Sequence, residues 1–77
     1  MKHYVYIELG GETLKYFLDE IDKNDWTVEY LLNDVCNQRE LDTSLYTIEH
    51  SNGNVFNMSD LAVDVTDVDE HLIIKLK

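Results

Sequence analysis

Between His3 and Asp19 the chain alternates residue by residue, and it does so on either side of a glycine pair. Residues 3–9, His-Tyr-Val-Tyr-Ile-Glu-Leu, put Val5, Ile7 and Leu9 on one face and Tyr4, Tyr6 and Glu8 on the other, the period of an extended strand. Gly10 and Gly11 supply the backbone freedom that a tight reversal needs. Residues 13–19 then set Leu14, Tyr16 and Leu18 against Lys15 and Phe17. A β-hairpin opens the chain, and its two faces differ in chemistry.

Beyond a polar, acidic connection (Asp19, Glu20, Asp22, Asp25) the period changes. Val28, Leu31, Leu32, Val35 and Cys36 recur at helical spacing while Glu29, Asn33, Asp34, Asn37 and Glu40 turn away, which predicts one amphipathic helix over about 27–40. Thr27 is its N-cap, because the hydroxyl accepts from an orphan amide of the first turn. Acids ahead of a helix N-terminus are favoured by its partial positive charge by about 0.3–1 kcal/mol each. Leu41 closes the apolar stripe, and residues 42–44 read as a turn.

Alternation returns at 46–50, runs into the turn sequence Ser51-Asn52-Gly53-Asn54, and resumes at Val55-Phe56 as a second, shorter hairpin. Residues 58–68 read as a connection. Ser59 can cap a single helical turn through Asp60-Leu61-Ala62, while Val63, Val65 and Val68 alternate with acids as an extended segment does. Residues 71–77 form a last strand, with Leu72, Ile74 and Leu76 on one face and His71, Ile73, Lys75 and Lys77 on the other. No proline, repeat or low-complexity linker interrupts the 77 residues, which predicts a single domain over 1–77. A chain of this length buries too little surface for a large catalytic cleft.

Sixteen acids against six Lys and Arg leave a formal net charge of −10, which disfavours duplex nucleic acid and anionic membrane as partners. Nine of the acids lie at 19–25 and 60–70, both read as connections rather than strands. Cys36 is the only cysteine; it rules out an internal disulfide, fits a reducing compartment, and sits on the apolar stripe as a small hydrophobe. No stretch approaches the roughly 20 apolar residues of a membrane span, and a charge at Glu8 interrupts any signal-like start, so a cytoplasmic location is expected. His3, His50 and His71 lack the i, i+3 or i+4 partners of a helical metal site. Asp64, Asp67, Asp69 and Glu70 lack the glycine and terminal glutamate of a calcium loop. With no phosphate loop or nucleophile triad either, the expectation is a protein without cofactor, metal or enzymatic activity.

The order strand, strand, helix, strand, short strand, connection, strand resembles the α+β ubiquitin-like β-grasp fold, in which one helix lies across a mixed four- to five-stranded sheet. Three segments carry the resemblance: the hairpin at 3–19, the helix opened by Thr27-Val28-Glu29 and reaching Leu41, and His71-Leu72-Ile73-Ile74-Lys75-Leu76-Lys77, which looks like ubiquitin's last strand. The helix end Val35-Cys36-Asn37-Gln38-Arg39-Glu40-Leu41 followed by Tyr46-Thr47-Ile48-Glu49-His50 is also similar to the Ras-binding and FERM-type branches. A covalent modifier or sulfur carrier of this superfamily needs a di-glycine tail, and the sequence stops at Lys77 without one. Ras-binding relatives meet an acidic surface with basic residues on the first hairpin, where this chain offers only Lys2 and Lys15 in an overall charge of −10, so electrostatics slows that encounter rather than steering it. The PB1 interaction domains carry an acidic motif that residues 64–70 resemble loosely, followed in that family by a second helix rather than a strand.

The resemblance implies that the first strand lies between the second and the last. Alternation then places Tyr4, Tyr6, Phe17 and Ile73 together on the sheet face opposite the helix, with Thr47 and His71 beside them and Glu8, Lys15, Glu49 and Lys75 at the rim. His71 and Ile73 fall on the strand that ubiquitin uses for its own hydrophobic recognition surface. An aromatic cluster on an open face has the composition of a protein-binding patch. The expected function is a non-catalytic interaction module that binds a protein of basic or mixed surface through Tyr4, Tyr6, Phe17, Thr47, His71 and Ile73. The alternatives are a modifier or carrier whose tail lies outside this sequence, a PB1-like domain, or a homodimer through the same face.

Overall fold

A computed structural model of the chain describes residues 2–20, 23 and 25–77. Asp22, one of the acids of the connection before the helix, lies outside the described residues. Four strands, β1 (Tyr4–Leu9), β2 (Glu12–Phe17), β3 (Tyr46–His50) and β4 (Glu70–Leu76), form one mixed sheet in the order β2-β1-β4-β3. β1 runs antiparallel to β2 and parallel to β4, and β3 is antiparallel to β4. One helix, α1 (Val28–Gln38), supplies five buried residues, Val28, Leu31, Leu32, Val35 and Cys36, to the core beneath the sheet. A short helical turn, α2 (Ala62–Val65), precedes β4.

The first hairpin closes through Gly10 and Gly11 at φ 57° and 87°, a left-handed pair whose twist matches the flanking strands. That reversal pairs Leu9 with Glu12 and sets the register down to Tyr4 opposite Phe17. Val5, Ile7, Tyr16, Leu18, Ile48, Leu72 and Ile74 consequently turn to one side and meet the helix stripe. Burying one such aliphatic side chain is worth about 1.5–3 kcal/mol.

Both ends of α1 are satisfied by identifiable groups. Thr27 Oγ1 accepts from the Tyr30 amide at 3.1 Å, while the amides of Val28 and Glu29 donate to the carbonyls of Asp60 and Met58 at 2.9 and 3.1 Å. The 57–60 loop is thus tied to the helix N-terminus by main-chain bonds. At the other end Glu40 takes φ 57°, so that its amide reaches Asn37 O at 3.2 Å and the Leu41 amide reaches Cys36 O at 2.9 Å. This is a Schellman closure with glutamate where glycine is usual.

The structure refines three expectations. Val55-Phe56 is not a strand: a single bridge joins Val55 to Glu49, Val55 is exposed, and Phe56 turns into the core, because two residues between Asn54 and Asn57 are too few to build a ladder. The connection at 58–68 contains α2, one turn later than the Ser59 cap suggests. Ser59 donates instead to Asn57 Oδ1 at 2.8 Å, and Val63 and Val65 pack against the core rather than lying extended. Asp34 does not simply face solvent, for its carboxylate accepts from Tyr16 OH at 3.1 Å and from Gln38 Nε2 at 2.9 Å. Among the described residues no helix is long and apolar enough to cross a membrane.

Candidate functional site: the open face of the sheet

The register brings the six expected residues to the helix-free side of the sheet. Tyr4 stands opposite Phe17, Tyr6 opposite Lys15 on one flank and His71 on the other, and Ile73 lies between Glu8 and Glu49, with Thr47 opposite Lys75. The rings form a continuous chain across three strands. Phe17 meets Tyr4 at 5.9 Å between centroids, Tyr4 meets Tyr6 edge-on at 5.7 Å, and Tyr6 stacks on His71 at 4.9 Å. Such pairs are worth about 0.5–1.5 kcal/mol beyond their burial. The rings cover one another, so Tyr4, Tyr6 and Phe17 are half-buried although no second layer lies over them among the described residues.

The charges around the rings are unevenly compensated. His71 Nδ1 lies 3.7 Å from Glu8, and Lys75 lies 3.2 Å from Glu49. Lys15 has no acidic partner among the described residues. Its ammonium rests instead over the rings of Tyr4, Phe17 and Tyr6 at 4.3, 5.1 and 5.7 Å, and Lys2 lies 5.4 Å from the Phe17 ring. In a chain of net charge −10 this corner of the sheet is locally cationic. Alternation signals the aromatic face, but only the cross-strand register reveals the placement of Lys15. A shallow cleft of about 360 Å³ opens at the other end of the face, where β1 stops pairing with β4 after Glu8 and Ile73; Leu9, Gly10, Thr13 and Ile73 line it.

The remaining reactive residues have structural roles. Cys36 is fully buried, and desolvation raises its thiol above the ordinary pKa, against a smaller lowering by the Thr43 hydroxyl. His3 Nε2 lies 3.0 Å from Thr66 Oγ1, which itself donates to the Ala62 carbonyl at 2.8 Å; the hydroxyl has one hydrogen, so His3 Nε2 carries the donor. His50 pairs with Glu70, whose other oxygen accepts from the Asp67 amide at 2.9 Å. No group of His, Cys, Asp and Glu among the described residues is arranged to hold a metal ion.

Comparison with solved structures places the whole chain on a known framework. It superimposes on a Caldiarchaeum subterraneum ubiquitin with a TM-score of 0.75 at 14% identity, over 100% of this chain and 95% of that one. The fold is a ubiquitin-like β-grasp. The N-terminal ubiquitin-like domain of the 4931431F19Rik protein matches with a TM-score of 0.72 at 10% identity, over 99% of this chain and 75% of that one. The AtNBR1-PB1 domain matches with a TM-score of 0.68 at 10% identity, over 99% and 98%. No protein-family model and no curated protein matches the sequence. The expected β-grasp arrangement, with β1 between β2 and β4 and one long helix across the sheet, is the observed one.

Proposed function

We propose that this β-grasp domain is a non-catalytic interaction module that binds a protein partner through the open sheet face, with Tyr4, Tyr6, Phe17, Thr47, His71 and Ile73 as the contact residues. The observation that carries this reading is the unbroken chain of rings from Phe17 to His71 on a face that no other described residue covers as a second layer. A small domain has little to gain from an aromatic outer face unless something covers it, and aromatic anchors bring large contact area at low cost in side-chain entropy. The partner surface is mixed: apolar groups for the rings and the Ile73 cleft, a carboxylate for Lys15, and cations for the acids of 60–70, which speed encounter.

Tyr6→Ala and Ile73→Asp variants that keep the wild-type circular dichroism test this assignment. Immobilised wild-type protein retains one or more lysate partners that both variants lose. Retention of the same partners by both variants at wild-type levels sinks the patch.

A second reading is self-assembly, favoured by the presence in one chain of an uncompensated Lys2/Lys15 corner and an acidic segment at 64–70, and by the structural likeness to a PB1 domain. Sedimentation at several concentrations separates the two: a monomer at all of them leaves partner binding alone.

A further inference from the structure

β3 follows β4 as far as Leu76, but β1 leaves it at Ile73, because the chain reverses at Gly10 and Gly11. The Ser51 amide donates to His71 O at 3.2 Å and the Lys77 amide to Leu45 O at 3.0 Å, so the odd-numbered residues of β4 turn their main-chain groups to β3. Leu72, Ile74 and Leu76 turn theirs to the other side. The Ile74 carbonyl therefore points past the end of β1, and among the described residues no amide of the 10–11 turn donates to it. The cleft of about 360 Å³ lies in that gap. Leu9, Ile73 and Ile74 form its apolar walls, and a carboxylate stands at each mouth, Glu8 on the open face and Glu12 on the helix side.

We propose that this cleft takes the side chain of a single arginine carried by a partner protein, its methylenes against Leu9, Ile73 and Ile74 and its guanidinium between the Glu8 carboxylate and the Ile74 carbonyl. The chain itself already sets an arginine at one mouth, where Arg39 pairs with Glu12 from the end of the helix. Glu8 at the other mouth has only the His71 ring, 3.7 Å away, which makes an ion pair only when the imidazole is protonated. No lysine or arginine among the described residues reaches it. In a chain of net charge −10 that carboxylate attracts a cation, and the form of the cleft selects which one. Lysine and arginine both carry an aliphatic stem that covers apolar walls while the charged head stays at the rim. A carboxylate and a carbonyl offered together suit the planar fork of five donors better than the compact ammonium. An apolar side chain would fill the walls but leave the Ile74 carbonyl without a donor. The contact sits at the end of the sheet and needs none of the rings of Tyr4, Tyr6 and Phe17, so it goes beyond the reading above.

NMR titration of the full chain at about 0.15 M salt, where loose attraction to the other acids is screened, tests the proposal. The probes are four acetylated, amidated tripeptides: Gly-Arg-Gly, Gly-Lys-Gly, Gly-citrulline-Gly and Gly-norleucine-Gly. The arginine peptide shifts the Gly10, Gly11 and Leu76 amides along one saturating curve. Citrulline keeps the shape of arginine and loses its charge, and its peptide binds at least about fivefold more weakly, as do the lysine and norleucine peptides. Glu8→Gln, folded by circular dichroism, weakens the arginine peptide by about fivefold or more. The absence of a saturable shift at those three amides overturns the proposal, as do shifts centred on residues 60–70. So does a lysine, citrulline or norleucine peptide that binds as tightly as the arginine peptide, or wild-type affinity in Glu8→Gln. Phe17→Ala leaves the titration unchanged, so the cleft and the ring-lined face fail or succeed separately.

Discussion

The phenol of Tyr16 in β2 donates to the carboxylate of Asp34 in α1 at 3.1 Å, joining the edge of the sheet to the flank of the helix. Burial first, then the Asp34 charge and the hydrogen bond to it, raise the phenol from 10.0 to about 12. A proton held more tightly by the folded chain stabilises it fully below pH 10 and is released at a loss of stability as the pH climbs toward 12. The full shift corresponds to at most about 3 kcal/mol; screening of the partly exposed carboxylate reduces it to roughly 1–2 kcal/mol. Urea unfolding at pH 9 and 11.5 is expected to show that loss. Tyr16→Phe is destabilised by about 1–2 kcal/mol at pH 7 and shows a flatter alkaline decline.

Glu40 pays for a left-handed turn that glycine adopts freely. With φ at 57° and its amide closing the helix on Asn37 O, Glu40→Gly keeps every main-chain bond and relieves the Cβ strain. The variant is expected to be more stable by about 0.5–1 kcal/mol, read as a higher urea midpoint at unchanged slope. Glu40→Val, β-branched at the same φ, moves the midpoint the other way.

The Cys36 thiol is sealed under the helix stripe and raised by desolvation, so the thiolate is scarce and inaccessible in the native state. Labelling by a disulfide reagent at pH 8 is expected to follow the rate of global opening, slowing with every stabilising substitution and accelerating with urea. Rapid labelling of the folded chain would contradict the packing.

Thr66 links two parts of the core rim, donating to Ala62 O and accepting from His3. Thr66→Val preserves shape but leaves both partners unpaired, at an expected cost of about 1–3 kcal/mol. Thr66→Ser keeps the hydroxyl and recovers most of that loss, so the pair of midpoints separates the hydrogen bonds from the packing.

The division of the sheet into an aliphatic and an aromatic face is legible in residues 3–18, because side-chain parity in a strand is a local property and Gly10-Gly11 leave one tight way to reverse. The stripe Val28, Leu31, Leu32, Val35 and Cys36 declares the helix on the same ground, and all five are buried. The α2 turn and the glutamate closure at residue 40 escape such reading: four residues are too few for a period to emerge, and Glu40 is held left-handed by bonds to Cys36 and Asn37 rather than by its own preference.

At the candidate site the membership of Tyr4, Tyr6, Phe17 and Ile73 follows from alternation alone. Their order across the sheet, Phe17 to Tyr4 to Tyr6 to His71, exists only once β4 has crossed over to lie parallel to β1, a pairing between residues more than 60 positions apart in the chain. The position of Lys15 above the rings depends on the same assembly. Local periodicity decides which way a side chain points; the packing of distant segments into one core decides what it meets there.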